Sequence, residues 1–395
     1  MAVPAEDTAA IALLDRLVAF DTTSAKSNLA LIDFVADRLG EHGVASTRIH
    51  DSERTKANLF ASIGPPVNGG VALSGHTDVV PVTGQRWSSD PFTLRHDAAS
   101  GRLYGRGSAD MKGFIACVLA HVPAFRAADL KVPLHIALSY DEEVGCIGVG
   151  GMIAGFGDGL PKPAIAIVGE PTSMQIVNAH KGIRGFRVVL DGVAAHSSAP
   201  HLGVSAIAYA AEIVGFIGAL AGEMRAAADP ANGFEPPWTT FNIGRIEGGE
   251  ALNIIPEHCS FVWEFRPLPD TEADAIEARV ADFIANDIAP RMRAEHDAAG
   301  VRIEALPRVP PLAAHPDSPA ERLVRRLTGA NETHTVAYTA EASQFQQAGI
   351  PAVLCGPGSI DQAHQADEWI AVDQLAACSA FLDRLTAWSV AGGLP

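Results

Sequence analysis

Cysteine is one of several features that this chain has little of. Its 395 residues include five cysteines, an odd number, widely spaced and without a Cys-x-x-Cys pair: Cys117, Cys146, Cys259, Cys355 and Cys378. This pattern argues against a disulfide framework and against a zinc ribbon. We expect these cysteines to be buried apolar residues of a protein in a reducing compartment.

Basic residues and long apolar runs are scarce as well. The chain has 29 Lys and Arg against 46 Asp and Glu, a net charge of −17, and no basic stripe. Neither a nucleic acid nor an anionic membrane is therefore an expected partner. No run approaches 18 uncharged apolar residues, and residues 1–7 lack the basic and apolar regions of a signal peptide. We expect a cytoplasmic protein without a membrane span.

The length of the chain favours two domains, and its first part shows one kind of pattern. Apolar runs without alternation, such as Val132–Ser139 and Ala164–Val168, are typical of buried parallel strands. A helix over Phe114–Phe125, cut short by Pro123, precedes them. The order of strands and helices predicts an α/β domain with a doubly wound, mostly parallel sheet.

The pattern changes near residue 182. Arg184–Asp191, Thr239–Ile246 and Cys259–Arg266 resemble antiparallel strands, and two long helices lie between and after them. A proline-rich run that begins at Pro307 marks the return to the first pattern. The sequence therefore predicts a separate α+β domain over 182–308, inserted into a first domain formed by 1–181 and 309–395.

Polar side chains follow the predicted parallel strands of the first domain. They are histidines and carboxylates: His76, Asp78, Asp110, Glu142, Glu143, Glu170 and His364. Side chains at the carboxyl ends of such strands share one crevice. Five crowded carboxylates would repel one another unless cations lay among them, and imidazole with carboxylate suits zinc. We predict a site for two metal ions, with a solvated acidic rim as the alternative.

Six sequence motifs together resemble those of a known family. They are Ser-Gly-His-Thr-Asp (74–78), Gly-Ser-Ala-Asp-Met-Lys-Gly (107–113), Asp-Glu-Glu-Val-Gly (141–145), Gly-Glu-Pro-Thr (169–172), Ala-His-Ser-Ser-Ala-Pro (195–200) and the C-terminal His364. The family comprises the two-zinc exopeptidases and N-deacylases, among them acetylornithine deacetylase, succinyl-diaminopimelate desuccinylase, aminoacylase and glutamate carboxypeptidase. The resemblance covers essentially the whole chain, including the inserted domain.

The resemblance implies a role for each residue of the crevice. His76 and Glu170 would hold one Zn²⁺, Glu143 and His364 the other, and Asp110 would bridge both, with Co²⁺ as the alternative ion. Glu142 would be the general base that activates a water molecule between the metals. Asp78 would accept the second N–H of His76 and orient it. The peptide bond between Asp110 and Met111 would be cis.

The resemblance also implies roles for the inserted domain. His196 would reach the active site of the partner subunit and stabilise the oxyanion there, which implies a homodimer formed through this domain. Arg184, Asn253 and Arg266 would contact a substrate carboxylate, with ordinary salt bridges as the alternative for the two arginines. The backbone N–H of Gly356, and that of Gly358, would be weaker candidates for the same anion.

Within the family, the chain looks most like the acetylornithine deacetylases. This likeness rests on residues 140–146, 169–173 and 356–369. The related desuccinylases carry Thr-Ser-Asp-Gly where this chain has Thr-Ala-Glu-Ala at 339–342, and we expect Glu341 to receive the ammonium group of the substrate. The implied activity is hydrolysis of N2-acetyl-L-ornithine to L-ornithine and acetate in arginine biosynthesis. The alternatives are another N-acyl-amino-acid amidohydrolase, a desuccinylase or carboxypeptidase of this family, and a non-catalytic binding protein.

Overall fold

The structure is a computed structural model that describes residues 5–393, with side chains from Thr8 onward. Ten α-helices are assigned within that range: α1 (Ala5–Val18), α2 (Leu29–Glu41), α3 (Gly113–Ala127), α4 (Val149–Ala154), α5 (Ala206–Ala226), α6 (Ala273–Phe283), α7 (Ala289–Glu295), α8 (Pro319–Thr328), α9 (Ala342–Gln347) and α10 (Val372–Val390). The same residues contain fifteen strands: β1 (Ser46–His50), β2 (Ala57–Ile63), β3 (Val71–His76), β4 (Arg95–Asp97), β5 (Arg102–Tyr104), β6 (Leu134–Ser139), β7 (Ile165–Val168), β8 (Val177–His180), β9 (Ile183–Asp191), β10 (Thr240–Gly248), β11 (His258–Arg266), β12 (Gly300–Val309), β13 (His334–Val336), β14 (Ala352–Leu354) and β15 (Trp369–Ala371).

The chain divides into two compact units. The first consists of residues up to 179, 314–334 and 340–395, and the second of residues 180–313 and 335–339. Each unit has its own cluster of buried apolar side chains. The segment 182–308, predicted from the sequence to be an inserted domain, lies within the second unit, and its role as a dimerisation and lid domain stays a prediction.

The first unit is built on an eight-stranded sheet in the order β1-β2-β6-β3-β7-β14-β8-β13. The four central strands, β6, β3, β7 and β14, run parallel, and all their residues are buried. Such strands have helices on both faces, which explains their unbroken apolar runs. Antiparallel strands flank this centre. The predicted α/β class with a mostly parallel sheet is confirmed.

Helix α3 is longer than predicted. It continues through Pro123 to Ala127, although proline removes one helical hydrogen bond. Eleven of its fifteen residues are buried, and this packing outweighs the local cost of the proline. The sequence rule failed here because it considers only the backbone.

The second unit contains a four-stranded antiparallel sheet in the order β10-β11-β9-β12. The sequence did not indicate β12, because seven of its ten residues are exposed and show no apolar alternation. It is an edge strand, and its register shifts between Ala305 and Arg308, around Pro307. Edge strands and bulges are the places where a sheet tolerates proline.

Helix α5 of the second unit is long and apolar. Among the described residues it is the one helix that could cross a membrane by length and composition, with 28% of its apolar window buried. Its inner face packs into the apolar cluster of this unit. Its outer residues Glu212 and Glu223 form ion pairs with Arg291 and Arg279. Apolar packing on one face and ion pairs on the other thus tie α5 to the second unit.

Candidate metal centre and active site

The candidate metal ligands lie where the central strands end. β3 ends at His76, which pairs with Ser139 at the end of the neighbouring β6. Glu143 follows β6, and Glu170 follows β7 on the other side of β3. Because parallel strands end at the same edge of a sheet, these side chains start from one crevice, as the sequence predicts.

His76, Asp110 and Glu170 form what we call the first ligand group. Their ligand atoms all lie within 4.8 Å of one another, and all three residues are buried. His76 Nε2 is 3.0 Å from Asp110 Oδ1. Glu170 Oε1 is buried and lacks a hydrogen-bond partner among the described residues. A buried carboxylate oxygen without a partner is costly, so this atom fits a cation that it would ligate.

Asp110, Glu143 and His364 form the second ligand group, again with ligand atoms within 4.8 Å of one another. His364 Nε2 lies 2.9 Å from Glu143 Oε2 and 3.3 Å from Asp110 Oδ2. Asp110 therefore faces His76 with one oxygen and His364 with the other. This is the placement that a carboxylate shared by two metal ions requires. The peptide bond between Asp110 and Met111 is cis, as the resemblance implies.

The protonation of these groups shows how strongly the site needs positive charge. Burial, followed by the charge of Asp110, raises the pKa of Glu143 to about 7 and that of Glu170 well above its usual value. Burial alone would raise the pKa of Asp110 too, but hydrogen bonds from His364 and His76 outweigh it and hold that pKa low. The same contacts with Asp110 and Glu143 raise the pKa of His364 to about 10.

Protons on these groups neutralise the crowded carboxylates, and divalent cations would do the same more fully. Metal ions bind to deprotonated ligands and release those protons. Two imidazoles and three carboxylates are a donor set that suits zinc and other divalent transition metals. The residues present therefore fit two metal ions.

Asp78 lies at the site but contacts it differently from the prediction. His76 Nδ1 is 2.9 Å from the backbone carbonyl of Asp78 and 3.7 Å from its carboxylate. The carboxylate instead accepts hydrogen bonds from the backbone N–H of Glu142 and of Glu143, and from Ser24 Oγ. The prediction that the carboxylate takes the imidazole N–H is wrong, because two peptide donors occupy it. Asp78 holds both neighbouring loops together.

Glu142 is separate from both ligand groups. Its Oε1 accepts a hydrogen bond from Cys146 Sγ at 3.2 Å. The sequence reasoning that an extended chain points it away from Glu143 is wrong, because residues 142–146 form a turn closed by the Glu142 carbonyl. Burial, opposed by the charge of His76, raises the pKa of Glu142 well above its usual value. A carboxyl group of this kind can hold and transfer a proton.

Glu341 lies at the same crevice. Its side chain is 1% exposed, and neither oxygen has a hydrogen-bond partner among the described residues. Burial raises its pKa to about 7, although the charge on His76 and the nearby Ser139 hydroxyl, which donates its own hydrogen bond to Gly75 O at 3.5 Å, partly oppose this shift. Its charge in turn raises the pKa of Glu142. A buried carboxylate without partners is suited to a cationic group of a ligand.

Both arginine candidates, which lie in the second unit, already have partners there. Arg184 forms ion pairs with Asp274 at 2.9 Å and Glu277 at 3.2 Å. Arg266 contacts Glu264 at 3.0 Å. These contacts match the salt-bridge alternative, and a substrate carboxylate would have to compete with them.

His196 and Asn253 lie on neighbouring exposed loops of the second unit. His196 Nδ1 is 2.7 Å from Ser198 Oγ, and the backbone carbonyl of Asn253 accepts from Ser197 N at 3.0 Å. Both side chains are therefore available to groups outside this unit.

Gly356 is used by the fold rather than offered to a ligand. Its N–H donates to Thr172 Oγ1 at 3.1 Å, and that of Gly358 donates to Gln374 Oε1 at 3.2 Å. A Cβ on Gly356 would lie 2.1 Å from Gly169 O, so only glycine permits this close approach. The structure gives these N–H groups other partners than the predicted anion.

The sequence analysis assigned no role to four residues at the site. Cys146 contacts Glu142, and the buried Arg106 and Glu368 form with the half-buried Gln85 a chain of hydrogen bonds beside Asp110. Arg106 and Glu368 are 262 residues apart, and neither has a local pattern that would pair it with the other. The one available hint was the position of Arg106 among the glycines before Asp110.

Comparisons with known proteins agree with this geometry. The model of the family described as Peptidase family M20/M25/M40 matches residues 72–387. An acetylornithine deacetylase from Myxococcus xanthus is 37% identical over 381 residues, which cover 95% of this chain and 96% of that protein. The resemblance found in the motifs is thus confirmed.

Two solved structures share the fold at low identity. The metallo-carboxypeptidase Sso-CP2 of the M20 family from Sulfolobus solfataricus has a TM-score of 0.75 at 18% identity, covering 98% of this chain and 100% of that one. The Bacillus subtilis YXEP protein, a dinuclear metal-binding peptidase of the M20 family, has a TM-score of 0.66 at 17% identity, covering 98% and 99%. With the family model spanning most of its length, this chain belongs to peptidase family M20/M25/M40.

Proposed function

We propose that this protein is a metal-dependent hydrolase of the amide bond of N-acylated amino acids, with N2-acetyl-L-ornithine as its substrate. The observation that carries the proposal is the pair of ligand groups that share Asp110, with the buried carboxyl group of Glu142, whose pKa is raised, beside them. The identity to an acetylornithine deacetylase over nearly the whole chain supports the choice of substrate.

The first ligand group would hold one zinc ion and the second group the other, with Co²⁺ as the alternative metal. Two such ions polarise a carbonyl group and lower the pKa of water toward neutrality. The dinuclear site of the YXEP protein supports two ions rather than one. Asp78 fixes the position of Glu142 relative to Glu143 by accepting a hydrogen bond from the backbone N–H of each.

Glu142 supplies the proton transfers of the reaction. It takes a proton from the attacking water as the new C–O bond forms, and it gives that proton to the nitrogen as the C–N bond breaks. Acetate and ornithine are the products. The Cys146 thiol holds Oε1 of Glu142, which leaves the other oxygen to meet the water.

Glu341 supports a substrate with a positively charged side chain. Its buried, unpartnered carboxylate would gain a partner in the δ-ammonium of ornithine, whereas an uncharged side chain would leave it unpaired. We therefore assign Glu341 to the recognition of that ammonium group.

The second unit would complete the site in a homodimer. His196 would stabilise the oxyanion in the partner subunit, and Arg184, Asn253 and Arg266 would bind the substrate carboxylate. Leu202 is 63% exposed and Leu252 fully exposed in this unit, and we take them as candidate residues of the interface. Sedimentation experiments should show a dimer, and Leu252→Asp should weaken its association.

We also propose that the enzyme is cytoplasmic and acts in arginine biosynthesis.

A substrate panel tests the proposed reaction. Acetylornithine, succinyl-diaminopimelate and acetylmethionine would be compared by kcat/KM, before and after chelation and after Zn²⁺ or Co²⁺ is restored. We expect acetylornithine to be hydrolysed best and activity to disappear with the metal. Preference for another compound would favour a related hydrolase of the family. Ligand binding that survives chelation, without turnover of any compound, would favour a binding protein.

The role of Glu341 has a separate test. Glu341→Gln should raise KM for acetylornithine by roughly tenfold or more, the size expected for a hydrogen bond to a charged group, and change KM for acetylmethionine much less. Equal changes for both compounds would remove the assigned role while leaving the reaction in place.

A further inference from the structure

We propose that Gln85, Arg106 and Glu368 form a positioning network that fixes Asp110 and His364 relative to each other. By fixing these two ligands, the network sets the affinity of the second ligand group for its metal ion. The inference rests on the proposed two-metal site, and it assigns a role to three residues that touch neither substrate nor metal.

Glu368 holds the loop that carries the shared ligand. Its side chain is 1% exposed. Oε1 accepts from the backbone N–H of Ala109 at 2.9 Å and of Asp110 at 3.1 Å, and Oε2 accepts from that of Gly107 at 3.0 Å. A single carboxylate therefore binds three peptide groups of this loop, including that of Asp110 itself.

Arg106 connects this carboxylate to the loop beyond it. Its Nη1 donates to Glu368 Oε2 at 2.7 Å, and its Nη2 donates to Gln85 Oε1 at 2.5 Å. The guanidinium lies over the Trp87 ring, 5.0 Å from its centroid, and Trp87 Nε1 also donates to Gln85 Oε1 at 3.0 Å. The amide of Gln85 is thus held on one side by two donors.

The nitrogen of the Gln85 amide contacts His364, a ligand of the second group. Gln85 Nε2 donates to the backbone carbonyl of His364 at 2.7 Å. His364 has a positive φ of 63°, a conformation that a residue other than glycine keeps only when its surroundings impose it. Its side chain is 55% exposed, so packing contributes little to its placement. The imidazole contacts Glu143 and Asp110, and the bond from Gln85 holds the backbone from which that side chain starts.

The network acts unequally on the two ligand groups. Gln85 touches His364, which belongs to the second group alone. Glu368 touches the loop of Asp110, which belongs to both. A buried ion pair such as Arg106–Glu368 contributes little to stability by itself, whereas hydrogen bonds behind a metal ligand typically change metal affinity by 10–100-fold. Loss of Gln85 should therefore weaken the binding of the ion in the second ligand group, and loss of Glu368 should weaken the binding of both ions.

The test measures metal binding directly. The metal-stripped full-length protein would be titrated with Zn²⁺ against a competing chelator to give two dissociation constants. His364→Ala, which removes a ligand, identifies the step that belongs to the second ligand group. Gln85→Met should weaken that step by roughly 10-fold or more and the other by less than about 2-fold. Glu368→Gln should weaken both binding steps. The absorption spectrum of the Co²⁺-loaded protein should change only in those variants whose metal binding changes.

Gln365→Met is the matched control, because it makes the same substitution at an exposed glutamine beside His364 whose side chain donates, among the described residues, to Asp361 O. It should leave both constants unchanged. Gln85→Met with wild-type constants, or with both constants weakened alike, would overturn the network. A wild-type protein that binds no zinc would instead overturn the proposed function. Thermal unfolding of the metal-stripped variants, with unchanged midpoints for Gln85→Met, separates positioning from a loss of folding.

Discussion

Single residues of the crevice have separable roles even though all are carboxylates. Asp110 faces both histidines, whereas the Glu142 carboxylate accepts a hydrogen bond from the Cys146 thiol and belongs to neither ligand group. Asp110→Asn should lose activity and much of the metal. Glu142→Gln should lower kcat by about 10²–10⁴-fold and keep both ions, as measured by metal content after dialysis. Full turnover with two tightly held ions in Asp110→Asn would contradict the assignment of that residue.

His135 provides a prediction about pH that is independent of the metals. It is fully buried, with Nδ1 2.8 Å from Ser62 Oγ and Nε2 2.8 Å from Gly69 O. Burial lowers its pKa below the usual 6.5. As pH falls through that value the unfolded chain takes up a proton first, so the free energy of unfolding of the folded protein decreases below about pH 6.5.

The substitution His135→Gln should remove this contribution. Denaturant unfolding of the metal-stripped protein between pH 7 and pH 5 would then show a shallower loss of stability than in the wild type. His96→Gln, at an exposed position of β4, serves as the control and should keep the wild-type slope. Identical slopes for wild type and His135→Gln would show that His135 is not the group responsible.

The sequence predicted which residues meet but not how they touch. His76, Glu143 and Glu170 could be placed together because each follows a recognisable buried strand. The hydrogen bond of His76 to the Asp78 backbone could not be predicted, because it depends on which donors compete for the carboxylate of Asp78. The Glu368 contacts were beyond reach for a similar reason, since they need the three-dimensional fold to bring distant loops together.

At the scale of elements, the ends of β7 and β14 are joined more tightly than any sequence pattern indicates. Gly356 follows β14, and a Cβ there would lie 2.1 Å from Gly169 O and 2.5 Å from Glu170 O. Gly356→Ala should destabilise the protein by roughly 1–3 kcal/mol or more, as overpacking does, and reduce metal content by displacing Glu170. Gly150→Ala is the control, since it lies in α4 with no atom within 4 Å of the added Cβ, and helix propensity predicts a small gain. Similar stability for both variants would contradict the close approach at Gly356.

The elements found from the sequence are those whose apolar pattern reflects burial. β3, β6 and β7 are fully buried and were recognisable, whereas the exposed edge strand β12 was not. Helix α3 was recognised but given too early an end, because Pro123 is tolerated in a helix that is buried along most of its length. Local rules fail where tertiary packing, or its absence, determines the outcome.

At the scale of the whole molecule, two separate apolar clusters suggest two cooperative units of unfolding. All five candidate metal ligands lie in the first unit. Because a ligand stabilises only the part of a protein that binds it, chelation should lower the stability of the first unit alone. A metal ion present at 100 times its dissociation constant raises the free energy of unfolding by about 2.7 kcal/mol. This corresponds to several degrees in the unfolding midpoint of a unit of this size.

Differential scanning calorimetry with and without chelator would measure this effect. Ile217→Ala, in the apolar cluster of the second unit, should cost about 2–5 kcal/mol and thereby identify the transition of that unit. We expect chelation to move the other transition and Ile217→Ala to move only its own. If one transition responded to both changes, the two clusters would unfold as a single unit. Metal binding would then stabilise the whole chain, and a weakened second unit would also weaken the affinity of the enzyme for its metal ions.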